Sequence, residues 1–409
     1  MNILFLTLVE TNSINDHDLY TDLMREFVNH GHNGYVVSPN ERRTGRPTEL
    51  IQEKSCSILR VKIGNIQKTA IIEKGISTVL LEGQYKRAIQ KYFADVRFDL
   101  VLYSTPPITL TKVVAWVKNR YKAKSYLLLK DIFPQNALDL GMLKTSGIRG
   151  LIHRFFRLKE KKLYALSDKI GCMSQANVDY VIKHNPEVPA DKVEICPNCI
   201  QIQDMHTDAG ERQTMRDRYG IPQDKKVFVY GGNLGRPQGI PFLIECLKTQ
   251  ENNEEVFFLI VGNGTEYHLL EKYFSQAKPK NMKLMAQLPK DDYDRMVAAC
   301  DVGMIFLDHR FTIPNFPSRL LSYMQVGLPV LACTDPNTDI GKIALDGGFG
   351  WWCESDDSTG FELLVRKIAS FEAKDLVRMG IEGYSYMEKN YNTEAAYKTI
   401  VDNFGLEKA

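Results

Sequence analysis

Short apolar runs alternate with amphipathic segments along most of the chain, in the order strand, helix, strand. The first run, NILFLTL from Asn2, has no helical period, which is typical of a strand buried on both faces. In the next segment, Leu19, Leu23 and Phe27 recur at helical spacing, and the pattern stops at Gly31. Later runs of the same kind are GYVVSP, DLVLYSTPP, KSYLLLKDIFP, KIGCMS and VEICPN. This alternation predicts a parallel sheet covered by helices on both sides.

The same pattern starts again after a polar link that we place at residues 201–220. Its apolar runs are KVFVYGG, VFFLIVG, MKLMAQLP, DVGMIFL and PVLAC. Helices are predicted from Pro241, Thr265 and Asp291 and near Ser318. The stretch from Glu382 to Phe404 is predicted to form one or two amphipathic helices.

We therefore predict an α/β fold with two Rossmann-like parallel-sheet domains that face a central cleft. The 409 residues are too many for one ordinary core. The predicted domains are residues 1–200 and 201–381, with residues 382–409 crossing back onto the first. Such sheets bind ligands at the carboxyl ends of their strands, so the cleft is the expected site.

Composition and charge narrow the possible partners. The net charge of +2 gives no general attraction to nucleic acid. The N-terminus lacks the pattern of an export signal, and no apolar run approaches the roughly 20 residues of a membrane-spanning helix. Cys196 and Cys199 form a lone C-x-x-C without a second ligand pair, which disfavours zinc. A cytoplasmic protein, soluble or peripheral on a membrane, is expected.

The glycine-rich segment VYGGNLGRPQG is the strongest local signal. A buried strand runs into Gly231, Gly232 and Gly235, and a helix follows. Glycines allow backbone N–H groups to approach an anion, and a helix N-terminus adds positive potential. Arg236 in this turn can grip a phosphate with two N–H groups. The alternative is a tight turn with a solvated arginine.

A second strand-to-helix junction lies in PNFPSRLLSYMQVGLPVLA. Ser318, Arg319 and Leu320 form the first turn of its short helix, and Gly327 is a suitable C-terminal stop. Two such junctions at one sheet edge suit a diphosphate. A third turn, GNG ending at Gly264, fits a plain turn better than a ligand contact.

In the first half, Asp131 follows a buried strand and can orient a hydroxyl or take its proton, although a turn or capping role is the alternative. His17 is a candidate substrate contact or a mobile surface histidine. The pairs of aspartates at Asp16 and Asp292 resemble metal-binding pairs, but the second begins a helix and fits N-terminal charge better. We predict no essential metal and no cofactor.

The segment RGLIHRFFRLKEKKLY, from Arg149, combines six lysines and arginines with one glutamate. Leu151, Ile152, Phe155 and Phe156 are predicted to share one helix face. This pattern agrees with two roles. Residues 149–163 contact an anionic membrane, or the helix packs its apolar face on its own domain.

The order and spacing of these segments resemble the retaining glycosyltransferases of family four, which have the GT-B fold. The matching stretches are LLLKDIFPQNALDLGML, the basic helix, KIGCMSQANVDYV, EICPNCI, YGGNLGRPQG, VGNG and PSRLLSYMQVGLPVLA. The chain looks closest to the subgroup that builds bacterial capsules, O-antigens and similar lipid-linked glycans. The resemblance extends over nearly the whole length.

The resemblance implies a nucleotide-diphosphate sugar bound by residues 201–381 and a glycan acceptor held by residues 1–200, and the subgroup implies that this acceptor is lipid-linked. Asp131 and Arg236 are then the predicted catalytic residues. The predicted donor-binding residues are Gly231, Gly232, Asn233, Gly235, Gln238, Gly264, Gln287, Leu288, Ser318, Arg319, Leu320 and Ser322. The predicted acceptor-binding residues are His17, Tyr20 and Pro106.

The sequence departs from the family pattern in two places. Pro314 and Ser322 stand where the family usually has two glutamates, and serine brings no carboxylate to hold a ribose. Asn233 and Gln238 stand near the positions where the family has an arginine and a lysine, and Arg236 lies between the two. These differences leave the donor sugar and its nucleobase open.

Metal-independent transfer of a sugar with retention of configuration, in cell-surface polysaccharide synthesis, is the predicted function. Stabilising the leaving diphosphate is then the main task of the site. Two alternatives remain: a GT-B-like UDP-sugar 2-epimerase, which needs no acceptor, and a non-catalytic partner that retains the fold.

Overall fold

The computed structural model describes residues 1–66, 71–205 and 207–405. The chain divides into two compact units, Met1–Gln201 with Asn392–Ala409, and Ile202–Tyr391. The return to the first unit thus lies at Asn392, ten residues after the expected Glu382, because one helix continues unbroken as far as Asn390. We call these unit 1 and unit 2.

Unit 1 contains an eight-stranded sheet in the order β3-β4-β2-β1-β5-β6-β7-β8. All neighbouring pairs are parallel except β3 and β4. The strands are β1 (Asn2–Leu6), β2 (Asn33–Glu41), β3 (Glu49–Glu53), β4 (Cys56–Ile63), β5 (Leu100–Ser104), β6 (Lys124–Leu129), β7 (Lys169–Cys172) and β8 (Val193–Ile195).

Helices cover both faces of this sheet. They are α1 (Leu19–Asn29), α2 (Ile71–Tyr92), α3 (Thr111–Tyr121), α4 (Gln135–Asp139), α5 (Gly147–Leu166), α6 (Gln175–His184) and the C-terminal α15 (Thr393–Asp402). Because successive side chains of a strand point to opposite faces, Ile3 and Phe5 pack with α1 and α15, whereas Leu4 and Leu6 pack with α2, α3, α5 and α6. The first strand is therefore apolar at every position from Ile3 to Leu6.

Unit 2 contains a six-stranded sheet in the order β11-β10-β9-β12-β13-β14, with every pair parallel. The strands are β9 (Lys226–Asn233), β10 (Val256–Asn263), β11 (Met282–Met285), β12 (Val302–Phe306), β13 (Val330–Thr334) and β14 (Gly350–Glu354). The chain proceeds from β9 to one edge and then returns to place β12 on the other side of β9. The topological switch point therefore lies between β9 and β12, where such sheets bind ligands.

The helices of unit 2 lie on both faces of its sheet. They are α7 (Ala209–Tyr219), α8 (Ile240–Thr249), α9 (Tyr267–Ala277), α10 (Lys290–Ala298), α11 (Arg319–Gln325), α12 (Ile340–Asp346), α13 (Ser358–Ala369) and α14 (Ala373–Asn390). The predicted fold of two parallel-sheet α/β halves is confirmed. In the described part of the chain, no helix combines the length and the apolar character needed to cross a bilayer.

Helix α7 corrects the prediction that residues 201–220 form only a polar link. Its sequence has no apolar stripe, so periodicity does not reveal it. The helix is held instead by the buried Arg216, whose Nη2 donates to Asp301 at 2.7 Å and whose Nε donates to the carbonyl oxygen of Ala299 at 2.9 Å. A buried, fully bonded charge thus adds to the contacts of Met215 and Tyr219, which are too few to form an apolar stripe.

Candidate functional site

The glycine turn of unit 2 is shaped by close packing at the end of β9. A Cβ atom at Gly231 would clash with the ring and hydroxyl of Tyr293. Gly232 has a φ of +107°, in the region that favours glycine. The two glycines therefore allow the backbone to turn beneath an aromatic ring. The N–H of Gly231 donates to Tyr323 Oη at 3.3 Å and is therefore used within the protein.

The GNG turn after β10 packs directly on the glycine turn. The N–H of Leu234 donates to the carbonyl oxygen of Asn263 at 2.8 Å. Cβ atoms at Gly262 and Gly264 would clash with the carbonyl oxygens of Gly232 and Leu234. Packing between two backbones accounts for Gly264, as in the plain-turn interpretation.

Replacing Gly262 by alanine is expected to destabilise unit 2 by about 1–3 kcal/mol or more, because a backbone oxygen cannot move aside as a flexible side chain can. The thermal unfolding midpoint measures this loss. Gly83→Ala is the control, since that site has no atom within 4 Å. An unchanged midpoint for the Gly262 variant would show that the two turns do not pack as described.

Asn233 and Gln238 form a neutral pair within the glycine turn. Gln238 Oε1 accepts hydrogen bonds from Asn233 Nδ2 at 3.0 Å and from the N–H of Gly235 at 3.2 Å. Gln238 ends a short 3-10 turn, Arg236–Gln238, that leads into α8 through Gly239. A lysine could not accept these bonds. The two amides thus brace the turn without adding positive charge.

Arg236 lies in that 3-10 turn and is about half exposed. Its Nε is 3.6 Å from Glu266 Oε1, beside the start of α9. Glu266 Oε2 is buried and has no hydrogen-bond partner. The positive charge of Arg236 is therefore available to solvent and partly offset by a neighbouring carboxylate.

The side chain of Arg319 is the second basic group at this edge. Its guanidinium lies 4.1 Å from the centre of the Tyr230 ring, and its Nη2 is 3.5 Å from the carbonyl oxygen of Asn233. It is also the nearest group to a Cβ built on Gly232, at 3.3 Å. The structure therefore brings the start of α11 and the glycine turn together, as the two-junction interpretation requires.

Arg319 carries an uncompensated positive charge. Its Nε and Nη1 are buried without hydrogen-bond partners, and among the described residues no carboxylate makes an ion pair with it. The nearby tyrosines do not supply a negative charge, because burial raises the pKa of Tyr293 to about 12 and raises the pKa of Tyr230 as well. A buried cation with unused donors suits an anionic ligand. Sequence reasoning had assigned only a backbone role to this residue.

The other predicted residues of α11 differ in exposure. Ser318 is exposed, Leu320 is fully buried, and Ser322 is partly buried. The N–H of Leu320 donates to the carbonyl oxygen of Pro317 at 3.2 Å, which uses that donor within the turn. Tyr323 Oη anchors the helix near the carbonyl oxygens of β9 and β12.

Gln287 and Leu288 follow the edge strand β11. Gln287 Oε1 accepts a hydrogen bond from Asn263 Nδ2 at 2.6 Å, which joins it to the GNG turn. Gln287 is exposed and Leu288 is partly buried. Both lie at the carboxyl edge of the sheet, two strands away from the switch point.

Sequence reasoning missed a basic group beside the switch point. Arg310 donates to both carboxylate oxygens of Asp308, at 2.8 and 2.7 Å, just after β12. The N–H of Asp308 donates to the carbonyl oxygen of Pro237 at 3.0 Å, which links this loop to the Arg236 turn. In the sequence, this group is indicated only by charged residues that follow a buried strand. Its importance depends on β12 pairing with β9.

In unit 1, Asp131 lies at the carboxyl end of β6. Asn136 Nδ2 lies 2.7 Å from both of its carboxylate oxygens, and Thr105 Oγ1 donates to its carbonyl oxygen at 3.1 Å. Burial raises the pKa of Asp131 to about 6, against the opposing effect of the Asn136 bond. The pKa thus lies near the range useful to a general base.

The predicted acceptor residues lie at the same sheet edge as Asp131. Pro106 is exposed just after β5, the neighbour of β6. Tyr20 packs on Phe5 with ring centres 5.1 Å apart, and burial raises its pKa to about 12. His17 is half exposed and lies 3.4 Å from Asp22.

A small pocket, with room for about one water molecule, adjoins Tyr20. Lys130 Nζ lines it and donates to the carbonyl oxygen of Cys196 at 3.1 Å, while Asn198 Oδ1 is buried without a partner. Burial raises the pKa of Cys199 to about 12 and also raises that of Cys196. Among the described residues, neither cysteine belongs to a group of three or more side chains with the spacing of metal ligands, and the absence of zinc stays a prediction.

Within the described residues, one group of side chains has the spacing of metal ligands, namely Glu26, His30 and Glu394. His30 Nε2 lies 2.8 Å from Glu394 and stacks on Tyr397 at 4.0 Å, while Thr393 Oγ1 donates to Glu26 at 2.7 Å. These contacts hold α15 against α1, which explains why the three side chains lie close together. The absence of an essential metal stays a prediction.

Comparison with known proteins connects this geometry to a family. Residues 211–386 match the family Glycosyl transferases group 1. The chain is 24% identical over 298 residues to the probable glycosyltransferase WbjE of Pseudomonas aeruginosa, covering 72% of each chain. It is 25% identical over 225 residues to the putative colanic acid biosynthesis glycosyl transferase WcaI of Escherichia coli, covering 54% of each.

The fold is also similar to a solved structure described as trehalose-6-phosphate from E. coli bound with UDP-2-fluoro glucose. The TM-score is 0.74 at 8% identity, over 100% of this chain and 99% of that one. At this identity the likeness concerns the fold alone. The relatives include glycosyltransferases of polysaccharide biosynthesis.

Proposed function

We propose that the chain, which matches the family Glycosyl transferases group 1 over residues 211–386, transfers a sugar from a nucleotide-diphosphate sugar to a lipid-linked glycan acceptor, with retention of configuration. The guanidinium of Arg319 beside the glycine turn, whose Nε and Nη1 are buried without hydrogen-bond partners, is the observation that carries the proposal. Capsule or O-antigen synthesis is the process that we infer.

The donor diphosphate binds at the carboxyl edge of unit 2 in this proposal. Arg319 lies beneath the glycine turn and Arg236 lies in the turn that follows, so both can donate to phosphate oxygens. As the glycosidic bond stretches, negative charge grows on the leaving diphosphate. Fixed donors already in place stabilise that charge without a metal or cofactor. A uridine diphosphate donor agrees with the ligand named for the similar E. coli fold.

Unit 1 holds the acceptor in this proposal. Asp131, with its raised pKa, orients the attacking hydroxyl and receives its proton. Tyr20 and Pro106 border the same edge, and His17 lies on the loop before α1. The helix α5 contacts an anionic membrane from the cytoplasmic side and keeps the enzyme close to a lipid-linked substrate.

Thermal stabilisation by a panel of nucleoside diphosphates and sugar nucleotides tests the proposal. We expect one donor to raise the unfolding midpoint and then to yield product only when an acceptor is present. Rearranged donor without acceptor would indicate an epimerase instead. No stabilisation by millimolar ligand would contradict sugar-nucleotide binding and support a non-catalytic protein.

Arg236→Ala is expected to leave folding intact and to lower transfer by about tenfold to a hundredfold. We expect a smaller loss of transfer than for a buried donor, because Arg236 is half exposed and faces Glu266. Glu266→Gln is the matched control, since removing the opposing charge should tighten diphosphate binding. Equal transfer by Arg236→Ala and the unaltered enzyme would refute the role of Arg236.

A further inference from the structure

The first half of α5 exposes a stripe of large apolar side chains. Ile148, Leu151, Ile152, Phe155 and Leu158 are between 41% and 79% exposed, and their spacing places them along one side of the helix. The part of α5 that is buried against unit 1 lies later, at Leu163 and Tyr164. The interpretation that α5 packs its whole apolar face on its own domain is therefore wrong for this half.

A second helix exposes a similar stripe. Ile76, Val79 and Leu80 of α2 are 55–57% exposed and recur at helical spacing. The buried residues Leu81 and Tyr85 hold α2 on the sheet, so the stripe points away from the core. Helix α2 is not among the elements predicted from the sequence.

Contacts around α3 show that the two stripes lie at the same end of unit 1. Glu82 of α2 accepts hydrogen bonds from Thr111 and Lys112 at the start of α3, and lies 3.8 Å from Lys159 of α5. Helix α3 packs on both neighbours and separates them. Measured back from Glu82 and Lys159 at 1.5 Å per residue, α2 and α5 extend about 16–18 Å beyond the start of α3.

The exposed stripes occupy these two projecting helix ends. The turn at Pro106 precedes α3 and so lies between them, at the sheet edge that carries Asp131. Phe133, which follows Asp131, packs on Phe156 of α5 with ring centres 5.0 Å apart. The outer surface of α5 and the loop of Asp131 are thus parts of one packed structure.

Positive charge accompanies the projecting end of α5, where the exposed Arg149 and Arg154 lie among the apolar side chains. Beside the start of α2, Arg42 donates to Glu73 at 2.6 Å and Arg43 Nε lies 2.9 Å from Glu41, so both arginines are ion-paired. The α2 end therefore adds apolar area, and the α5 end adds the positive charge. Exposed apolar residues bordered by arginines match the interface of an anionic bilayer, where the apolar groups insert and the cations meet lipid phosphates.

We propose that the projecting ends of α2 and α5 form a two-pronged surface that docks on an anionic bilayer, with a lipid-anchored acceptor entering between them toward Asp131. The acceptor part and the membrane contact of α5 rest on the proposed function; the second point of insertion on α2 does not. Two separated points of insertion would fix the orientation of unit 1 on the membrane, which one helix cannot do.

Vesicle flotation of the full chain tests this surface. We expect binding to vesicles that contain phosphatidylglycerol and little binding to pure phosphatidylcholine. The pair Val79→Ser and Leu80→Ser on α2 should weaken binding about tenfold, as should Leu151→Ser and Phe155→Ser on α5. The matched control is Val377→Ser with Ile381→Ser on α14, equally exposed in unit 2 and expected to change binding less than about twofold.

Two further measurements separate the possible outcomes. Unfolding midpoints and stabilisation by nucleoside diphosphate should be unchanged in all variants, because the altered side chains are exposed. Transfer to a vesicle-embedded acceptor should fall, whereas transfer to a short-chain, water-soluble acceptor should persist. Unaltered flotation of the α2 pair would overturn the two-pronged surface. Normal flotation with no response to any sugar nucleotide would overturn the proposed function instead.

Discussion

Replacing Arg319 by methionine is expected to reduce sugar transfer by about 10²–10³ and to leave the protein as stable as before, or more stable. Methionine retains apolar contact with Tyr230 but removes the guanidinium. Since Arg319 Nε and Nη1 are buried without partners, the free protein loses an unfavourable charge, whereas the bound diphosphate loses a donor. Activity and stability should therefore change in opposite directions.

Kinetics with the identified donor, together with thermal unfolding, measure the two effects. Arg366→Met, on the exposed surface of α13, is the control and should alter neither. Stabilisation by the nucleoside diphosphate should also weaken in the Arg319 variant only. Transfer within about threefold of the unaltered enzyme would show that Arg319 does not contact the reacting phosphates.

Replacing Asp131 by asparagine is expected to lower transfer by about 10²–10⁴, the range of a general base. In the unaltered enzyme, kcat/KM should decrease as the pH falls through about 6, because protonation removes the base. The asparagine variant should lack this dependence. A similar pH profile in both proteins would exclude Asp131 as the titrating group.

At neutral pH, the Asp131→Asn variant is expected to be more stable than the unaltered protein. The pKa of Asp131 is about 6 in the folded protein and 3.8 in the unfolded reference, so the folded state holds the proton more tightly. Its contribution to stability therefore declines as the pH rises from about 4 to about 6. Above pH 6, asparagine should recover up to about 3 kcal/mol, minus any loss in the Asn136 bond. A lower unfolding midpoint at neutral pH would contradict this account.

Apolar runs and glycine positions made most of the strand order along the chain predictable. Parallel strands covered on both faces have apolar residues at nearly every position, and β1, β9 and β10 show this directly. The polar helix α7 was missed because its anchor is an arginine. Periodicity detects apolar burial and gives no signal for a buried ion pair.

The site was predictable at the level of backbone segments but less so for side chains. The turn around Gly232 and the start of α11 were identified as two junctions. Their proximity is a property of the tertiary structure, shown by the hydrogen bond from Arg319 Nη2 to the carbonyl oxygen of Asn233. The partnership of Asn233 with Gln238, and that of Arg236 with Glu266, also depends on turn geometry that residue type does not specify.

What the sequence determined by itself is most of the strands and helices, together with the glycine turns, because these follow from local periodicity and backbone freedom. Only the tertiary structure decided which elements are neighbours. It placed β12 beside β9, Arg319 against Tyr230, and α2 and α5 on either side of α3. Neighbour relations come from long-range packing of whole faces, so residues far apart in the chain acquire a shared chemistry that no single segment encodes.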